Sequence, residues 1–280
     1  MNDKNRNLVV RVVSVALLLP AVLALLIAGG WAAAALFALV AAGCTFEYQR
    51  MTTQNFGMAQ AAAVAGAALM ALGAGWWPQM FSVIAFWILV LVFFIAWIAH
   101  LFGGKVAAAP TRSAHAVTGC LYGGLAMASL AALRPGPHGL QWVIAALVMT
   151  WANDTCAYFA GRLFGRHKLY PEVSPNKTWE GFFGGMAGSV AGMFIARWVA
   201  FPALTVQDCV VLGLVGGVLG PLGDLCESML KRAYQVKDSG SLIPGHGGLL
   251  DRVDALLFNA PALYLYVIVV RGLVHSPPAG

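Results

Sequence analysis

The sequence predicts an all-α protein that crosses a membrane about nine times, with short loops in place of soluble domains. Three observations carry this reading. Hydrophobic residues fill 60% of the 280 positions and Asp, Glu, Lys and Arg only 10%, whereas ordinary globular chains hold about 45–50% apolar residues. The mean hydropathy is +0.77. The apolar residues also come in repeated blocks long enough to cross the hydrocarbon core of a bilayer.

The spans read as residues 9–28, 31–46, 58–76, 79–100, 114–133, 139–160, 181–201, 207–229 and 253–272. Lys4, Arg6 and Arg11 precede the apolar run from Val13 to Ile27, in the manner of a signal peptide. The apolar character continues through Val40 and further spans follow, so a retained signal-anchor is the expectation. Only Gly29-Gly30 separates the first two spans. Trp31, Trp76 and Trp77 fall at span ends, where interfacial aromatic residues belong. Gly184, Gly185, Gly188 and Gly192, and then Gly213, Gly216, Gly217 and Gly220, place small residues about one turn apart, which lets helices approach closely.

With the N-terminus in the cytoplasm, nine spans leave 14 of the 17 basic residues on the inner side, excepting Arg134, Arg197 and Arg271. That asymmetry is the positive-inside pattern, and it places the charged stretches 161–180 and 230–252 at the cytoplasmic face. The net charge of +6 is thus a topological signal and no sign of nucleic-acid binding. Cys44, Cys120, Cys156, Cys209 and Cys226 form no CxxC pair, so neither a zinc site nor a disulfide framework is expected. Residues 1–140 read as a helical scaffold offering lipid access and dimer contacts, and residues 141–280 as the region that carries chemistry.

Charge concentrates where chemistry is expected. Residues 228–254 hold four basic and three acidic side chains and a His, and ionisable clusters near a bilayer usually mark function. Asp224 and Glu227 are three residues apart near the end of the eighth span, and Asp251 and Asp254 repeat that spacing at the start of the ninth. Spacing of three puts each pair on one helix face. Such carboxylates either converge on a hard cation, which takes oxygen ligands, or pair with Lys231, Arg232 and Arg252. Between them, Lys237-Asp238 and Gly245-His246-Gly247-Gly248 supply charge and bare backbone amides of the kind that cradle polyphosphates. His246 serves either as a base or as a hydrogen-bonding group.

The other charged stretch echoes this with Ser174, Asn176, Lys177, Thr178 and Glu180 just ahead of the seventh span. One of the hydroxyl residues, Ser174 or Thr178, is expected to cap that helix. Asp154 falls inside the sixth span beside Asn153 and Thr155, with Tyr158 one turn on. It is either functional or a buried structural carboxylate. No Walker loop, Rossmann glycine fingerprint or GxSxG is present.

The run from Ser228 through Leu230-Lys231-Arg232, Lys237-Asp238, Gly240, Ile243-Pro244, His246-Gly247-Gly248-Leu249 and Asp251-Arg252-Val253-Asp254 resembles the signature of the phosphatidate cytidylyltransferase (CDP-diacylglycerol synthase) family. The stretches 174–181 and Asp154-Thr155-Cys156-Ala157-Tyr158 are also similar, so the resemblance covers at least residues 150–265. Asn176 stands where the family often has Lys, removing one phosphate contact, and Cys156 where it often has Gly.

The resemblance implies a reaction of CTP with phosphatidic acid that gives CDP-diacylglycerol and pyrophosphate at the cytoplasmic face of a bacterial inner membrane. It further implies Mg2+, with room for a second cation, held by Asp224 and Asp251, and the spacing adds Glu227 as a candidate ligand. Lys237, Arg252 and the amides of Gly245, His246, Gly247 and Gly248 would hold CTP phosphates, with Asp238 and Asp254 beside them. Ser174, Asn176, Lys177, Thr178, Glu180 and Asp154 would contact either substrate, and Lys231 and Arg232 the lipid headgroup. A homodimer is expected from the family and the Gly-rich faces. An enzyme acting on a polyprenyl or ether-lipid phosphate shares this chemistry. A transporter using Asp154 and Asp224 is disfavoured, because the chain has no internal repeat.

Overall fold

The computed structural model describes residues 3–53, 56–103, 106–245 and 247–272. The helices are α1 (Asp3–Ala28), α2 (Gly30–Thr52), α3 (Met58–Trp76), α4 (Phe81–Gly103), α5 (Ala109–Gly119), α6 (Ala126–Leu133), α7 (Gly139–Phe164), α8 (Trp179–Val199), α9 (Val206–Ala233) and α10 (Leu250–Val269). A π-helical turn, Cys120–Leu125, joins α5 to α6. Among the described residues eight helical segments are long and apolar enough to cross a membrane, and a shorter apolar stretch, Val12–Ala28, precedes them. The all-α membrane fold read from hydropathy is therefore observed.

Two differences from the predicted spans have a common cause. Helix α7 runs on to Phe164, and α2 runs on to Thr52. Hydropathy detects the part of a helix that suits lipid, whereas backbone hydrogen bonding continues through polar residues beyond it. The stretch between α7 and α8 contains an antiparallel hairpin of β1 (Lys168–Tyr170) and β2 (Ser174–Thr178), paired through Lys168 with Thr178 and Tyr170 with Ser174.

The described residues form two compact units: one of residues up to Pro137 together with Val236–Arg252, the other of His138–Gln235 and residues 253–272. In the first unit, α2, α3 and α6 pack on alanines, including Ala33, Ala41, Ala63, Ala67, Ala74, Ala128 and Ala132. Small side chains bring backbones close, so a Cβ added at Gly124 would lie 2.9 Å from the Ala67 Cα. Helix α4 is the most apolar span, with mean hydropathy 2.8, and the least buried. Its exposed Phe86, Trp87, Phe94, Leu101 and Phe102 suit contact with lipid. At the turn from α1 to α2, Gly29 takes a left-handed φ of 67°. There Arg134 caps α1, its Nε donating to the Leu26 carbonyl at 2.8 Å.

In the second unit the glycine rows seat α8 between α7 and α9. A Cβ at Gly185 would lie 2.9 Å from the Ala157 Cβ on α7, and one at Gly217 2.7 Å from the Met186 Cα on α8. Asn259 of α10 donates to Thr150 of α7 at 2.9 Å. At one end of this unit buried Asp208 accepts from Tyr266 at 2.6 Å and pairs with Arg271 at 3.0 Å. Asp208 also forms a capping box with Thr205 at the start of α9.

Candidate active site

The second unit holds a cavity of about 590 Å3 walled by α7, the hairpin, α8 and α9. Helix α7 contributes Asn153, Asp154, Ala157, Tyr158, Gly161 and Arg162. These follow at intervals of three and four, so a single helical face lines the cavity. The Arg162 guanidinium donates to the Tyr158 hydroxyl at 2.6 Å and lies 5.9 Å from the ring centroid, which combines a hydrogen bond with a cation–π contact.

The hairpin supplies Leu169, Asn176, Lys177 and Thr178. Glu180 braces it from outside the cavity, accepting from the His167 backbone at 3.3 Å and contacting His167 Nδ1 at 2.7 Å. Arg232 Nε reaches the Val173 carbonyl at 3.3 Å, and Trp179 N donates to the His167 carbonyl at 2.9 Å. Thr178 caps α8, its hydroxyl accepting from Gly181 N at 3.1 Å, while also lining the cavity. Lys177 points from the braced strand to α9, where Nζ lies 2.7 Å from Asp224 Oδ2 and donates to the Pro221 carbonyl at 3.3 Å. Ser228 donates to Asp224 Oδ1 at 3.2 Å, so both carboxylate oxygens are engaged.

Pro221 explains how an apolar helix offers polar contacts here. Proline has no N–H, so in α9 it leaves the carbonyl four residues earlier, at Gly217, without its helical donor. Asn153 Nδ2 takes that carbonyl at 3.4 Å. Asp154 lies within electrostatic reach of Asp224 and Lys177, and Asp254 within reach of Asp224, Asp154 and Lys177. Asp154 and Asp254 thus add negative charge within electrostatic reach of the Lys177–Asp224 pair, an arrangement that tolerates further positive charge. Among the described residues no three His, Cys, Asp or Glu form a ready-made metal cage. The set fits a hard cation of the Mg2+ type, which takes one or two carboxylates and completes its shell with water and substrate phosphates.

Of the residues singled out in the sequence, the cavity brings together Asp154, Asn176, Lys177, Thr178 and Asp224, with Asp254 close by. Ser174 pairs with Tyr170 in the hairpin and does not line the cavity. Glu227 is fully buried and forms an ion pair with Lys231 at 2.8 Å, one of the two roles its position allowed.

Lys237, Asp238, Gly245, Gly247, Gly248, Asp251 and Arg252 belong to the first unit. There, Ile243 N donates to the Gly247 carbonyl at 3.1 Å around Gly245 and Gly247, both at left-handed φ. Asp251 Oδ2 accepts from Ser239 N at 2.9 Å and from Gly248 N at 3.0 Å. His246 lies outside the described residues.

Residues 9–270 match the sequence profile of the cytidylyltransferase family. The chain belongs to that family. It is similar to the phosphatidate cytidylyltransferase of Bacillus subtilis (strain 168), with 47% identity over 45% of this chain and 47% of that protein. A phosphatidate cytidylyltransferase of Brucella suis biovar 1 (strain 1330) is 45% identical over 53% of this chain and 55% of its own length. One from Staphylococcus epidermidis (strain ATCC 12228) is 43% identical over 47% of this chain and 50% of its own. The chain spans about half the length of these curated relatives.

Within this family member, the structure adds residues to those weighed from the sequence. Arg162 extends the face of Asp154 and Tyr158 by a further step of four, a spacing that was available as a signal. Glu47, on α2, is another: it accepts hydrogen bonds from the signature loop, through Ser239, Leu242 and Leu250.

Proposed function

We propose that this protein transfers the cytidylyl group of CTP to phosphatidic acid, releasing pyrophosphate and forming CDP-diacylglycerol for phospholipid synthesis. The observation that carries the reading is the Lys177–Asp224 pair facing a cavity that Asp154 and Arg162 also line. The names of the relatives, phosphatidate cytidylyltransferase, support the choice of reaction. The cavity volume of about 590 Å3 suits a small-molecule ligand.

In the reaction an oxygen of the lipid phosphate attacks the α-phosphorus of CTP. The bond from that phosphorus to the bridging oxygen breaks, and pyrophosphate departs with its electron pair. The attacking oxygen is already anionic, so no strong base is needed. What the chain must supply is positioning and positive charge against two polyanions. Lys177 and Arg162 provide that charge in the cavity, and Asn176 and Thr178 offer hydrogen bonds to phosphate. Asp224 would hold Mg2+ with Asp154 and Asp254 near it, and Asp251 of the signature loop keeps its proposed metal role. Bound there, the ion supplies further neutralisation of phosphate charge. Lys237 and Arg252 of the signature loop take CTP phosphates, and Lys231 and Arg232 draw in the lipid headgroup. Glu227 is better assigned to holding Lys231 in place than to a metal, because it is buried and already ion-paired.

The positive-inside distribution supports an N-terminus and charged stretches at the cytoplasmic face of the inner membrane. The homodimer remains part of the proposal, supported by the glycine-rich spans. Purified protein supplied with labelled CTP, phosphatidic acid and Mg2+ should form CDP-diacylglycerol, and chelation with EDTA should stop it. No CDP-lipid under the complete conditions would sink the reading. Undiminished turnover in EDTA would remove the metal from it.

A further inference from the structure

We propose that Glu47, far from the signature in sequence, is a positioning residue that sets the shape of the signature loop for binding the triphosphate of CTP. The clause about CTP rests on the function proposed above. Glu47 sits on α2, is 2% exposed, and lies 192 to 203 residues before its partners. A carboxylate so buried needs strong hydrogen bonds to be retained. Its donors all come from the loop: Leu250 N at 2.8 Å and the Ser239 hydroxyl at 3.1 Å on Oε2, and Leu242 N at 3.4 Å on Oε1.

The same loop contacts continue to Asp251. The Ser239 hydroxyl lies 3.0 Å from Asp251 Oδ2, which also accepts from the amides of Ser239 and Gly248. One hydroxyl thus links the α2 carboxylate to a carboxylate of the signature, and it carries a single proton to share between them. The contact is tight as well as polar. A Cβ at Gly240 would fall 2.8 Å from the Glu47 Cγ, and one at Gly248 2.6 Å from Glu47 Oε2. The glycines therefore let the loop backbone close around this one side chain, and Lys237, Asp238 and Arg252 are carried on the segment so held.

Glu47→Gln isolates the idea, because it preserves volume. Both carboxylate oxygens accept backbone N–H groups, so either orientation of the new amide turns an NH2 against a donor. The detergent-solubilised full chain should show a dissociation constant for CTP raised about tenfold or more, the order expected when a buried charged acceptor loses its donors. KM for phosphatidic acid should change less than about twofold, and hydrogen exchange should quicken at residues 239–250 but not in α8.

Ser239→Ala should shift CTP binding in the same direction, and the double variant should be less than additive because both changes remove one contact. Asp208→Asn is the control, a buried carboxylate whose loss should lower stability and leave CTP affinity unchanged. A folded Glu47→Gln protein with CTP affinity within about twofold of the parent overturns the proposal. If that variant does not fold, the same result for Ser239→Ala overturns it. A parent that binds CTP but makes no CDP-lipid overturns the proposed reaction, and the affinity comparison still decides the role of Glu47. A parent that binds no CTP overturns both.

Discussion

Replacing Lys177 with methionine keeps much of the side-chain length and removes the ammonium that pairs with Asp224 within electrostatic reach of Asp154 and Asp254. Nζ lies 2.7 Å from Asp224 Oδ2. At that distance Coulomb's law gives about 6 kcal/mol for an effective dielectric of about 20 and about 1.5 kcal/mol in bulk water. The two side chains are 22% and 36% exposed, so screening pulls the pair toward the lower figure, and a stability loss of about 1 kcal/mol is expected.

The catalytic loss should be larger, because charge builds on the departing pyrophosphate while the carboxylates keep repelling it. Removing one preorganised cationic donor costs about 100-fold, or about 2.7 kcal/mol of barrier. The assay is the initial rate of CDP-diacylglycerol formation from labelled CTP, normalised to folded protein by size-exclusion chromatography. Adding Asp224→Asn to Lys177→Met should recover most of the lost thermal stability and none of the activity. A Lys177→Met enzyme working within about threefold of the parent rate would refute the placement of the phosphates at this cavity.

Asp224→Asn and Asp251→Asn should each abolish product formation while membrane insertion, read by fractionation, stays intact. Near-normal turnover in either would remove that residue from the site. Gly217→Val should cost about 1–3 kcal/mol or more through overpacking, because its Cβ would meet the Met186 Cα at 2.7 Å; a lower melting temperature in detergent checks this. Asp208→Asn should cost about 1–3 kcal/mol by weakening the charge-assisted bonds that this buried carboxylate takes from Tyr266 and the partly exposed Arg271. That loss should appear in thermal unfolding but not in turnover per folded molecule.

The membrane fold was legible because spans are dictated by apolar length, which is local. The α8 cap at Thr178 was legible for the same reason. The hairpin was not: strands of three and five residues with Pro175 in the second carry no alternation to read. Lys177 reads from the sequence as a candidate phosphate contact, yet its partner Asp224 lies 47 positions away, and only the fold joins them. Glu47 was silent altogether, since a lone Glu near a span end has the sequence character of an ordinary interfacial residue. The assignment of Glu227 to a metal depended on spacing alone, which cannot tell whether Lys231, one turn along the same face, already holds the carboxylate.

Pro221 also makes the protein answerable to the lipid around it. Before it, α9 is a packing rod of closely seated glycines; after it come Asp224, Ser228 and Lys231. A helix bends most readily at a proline, and spans adjust to bilayer thickness by tilting or bending. A thicker or thinner membrane would therefore flex α9 at that joint, with the Asn153 bond to the Gly217 carbonyl as the tether resisting it. The lever that moves is the segment bearing Asp224, so acyl-chain length in the host bilayer becomes a variable acting directly on the Lys177–Asp224 distance.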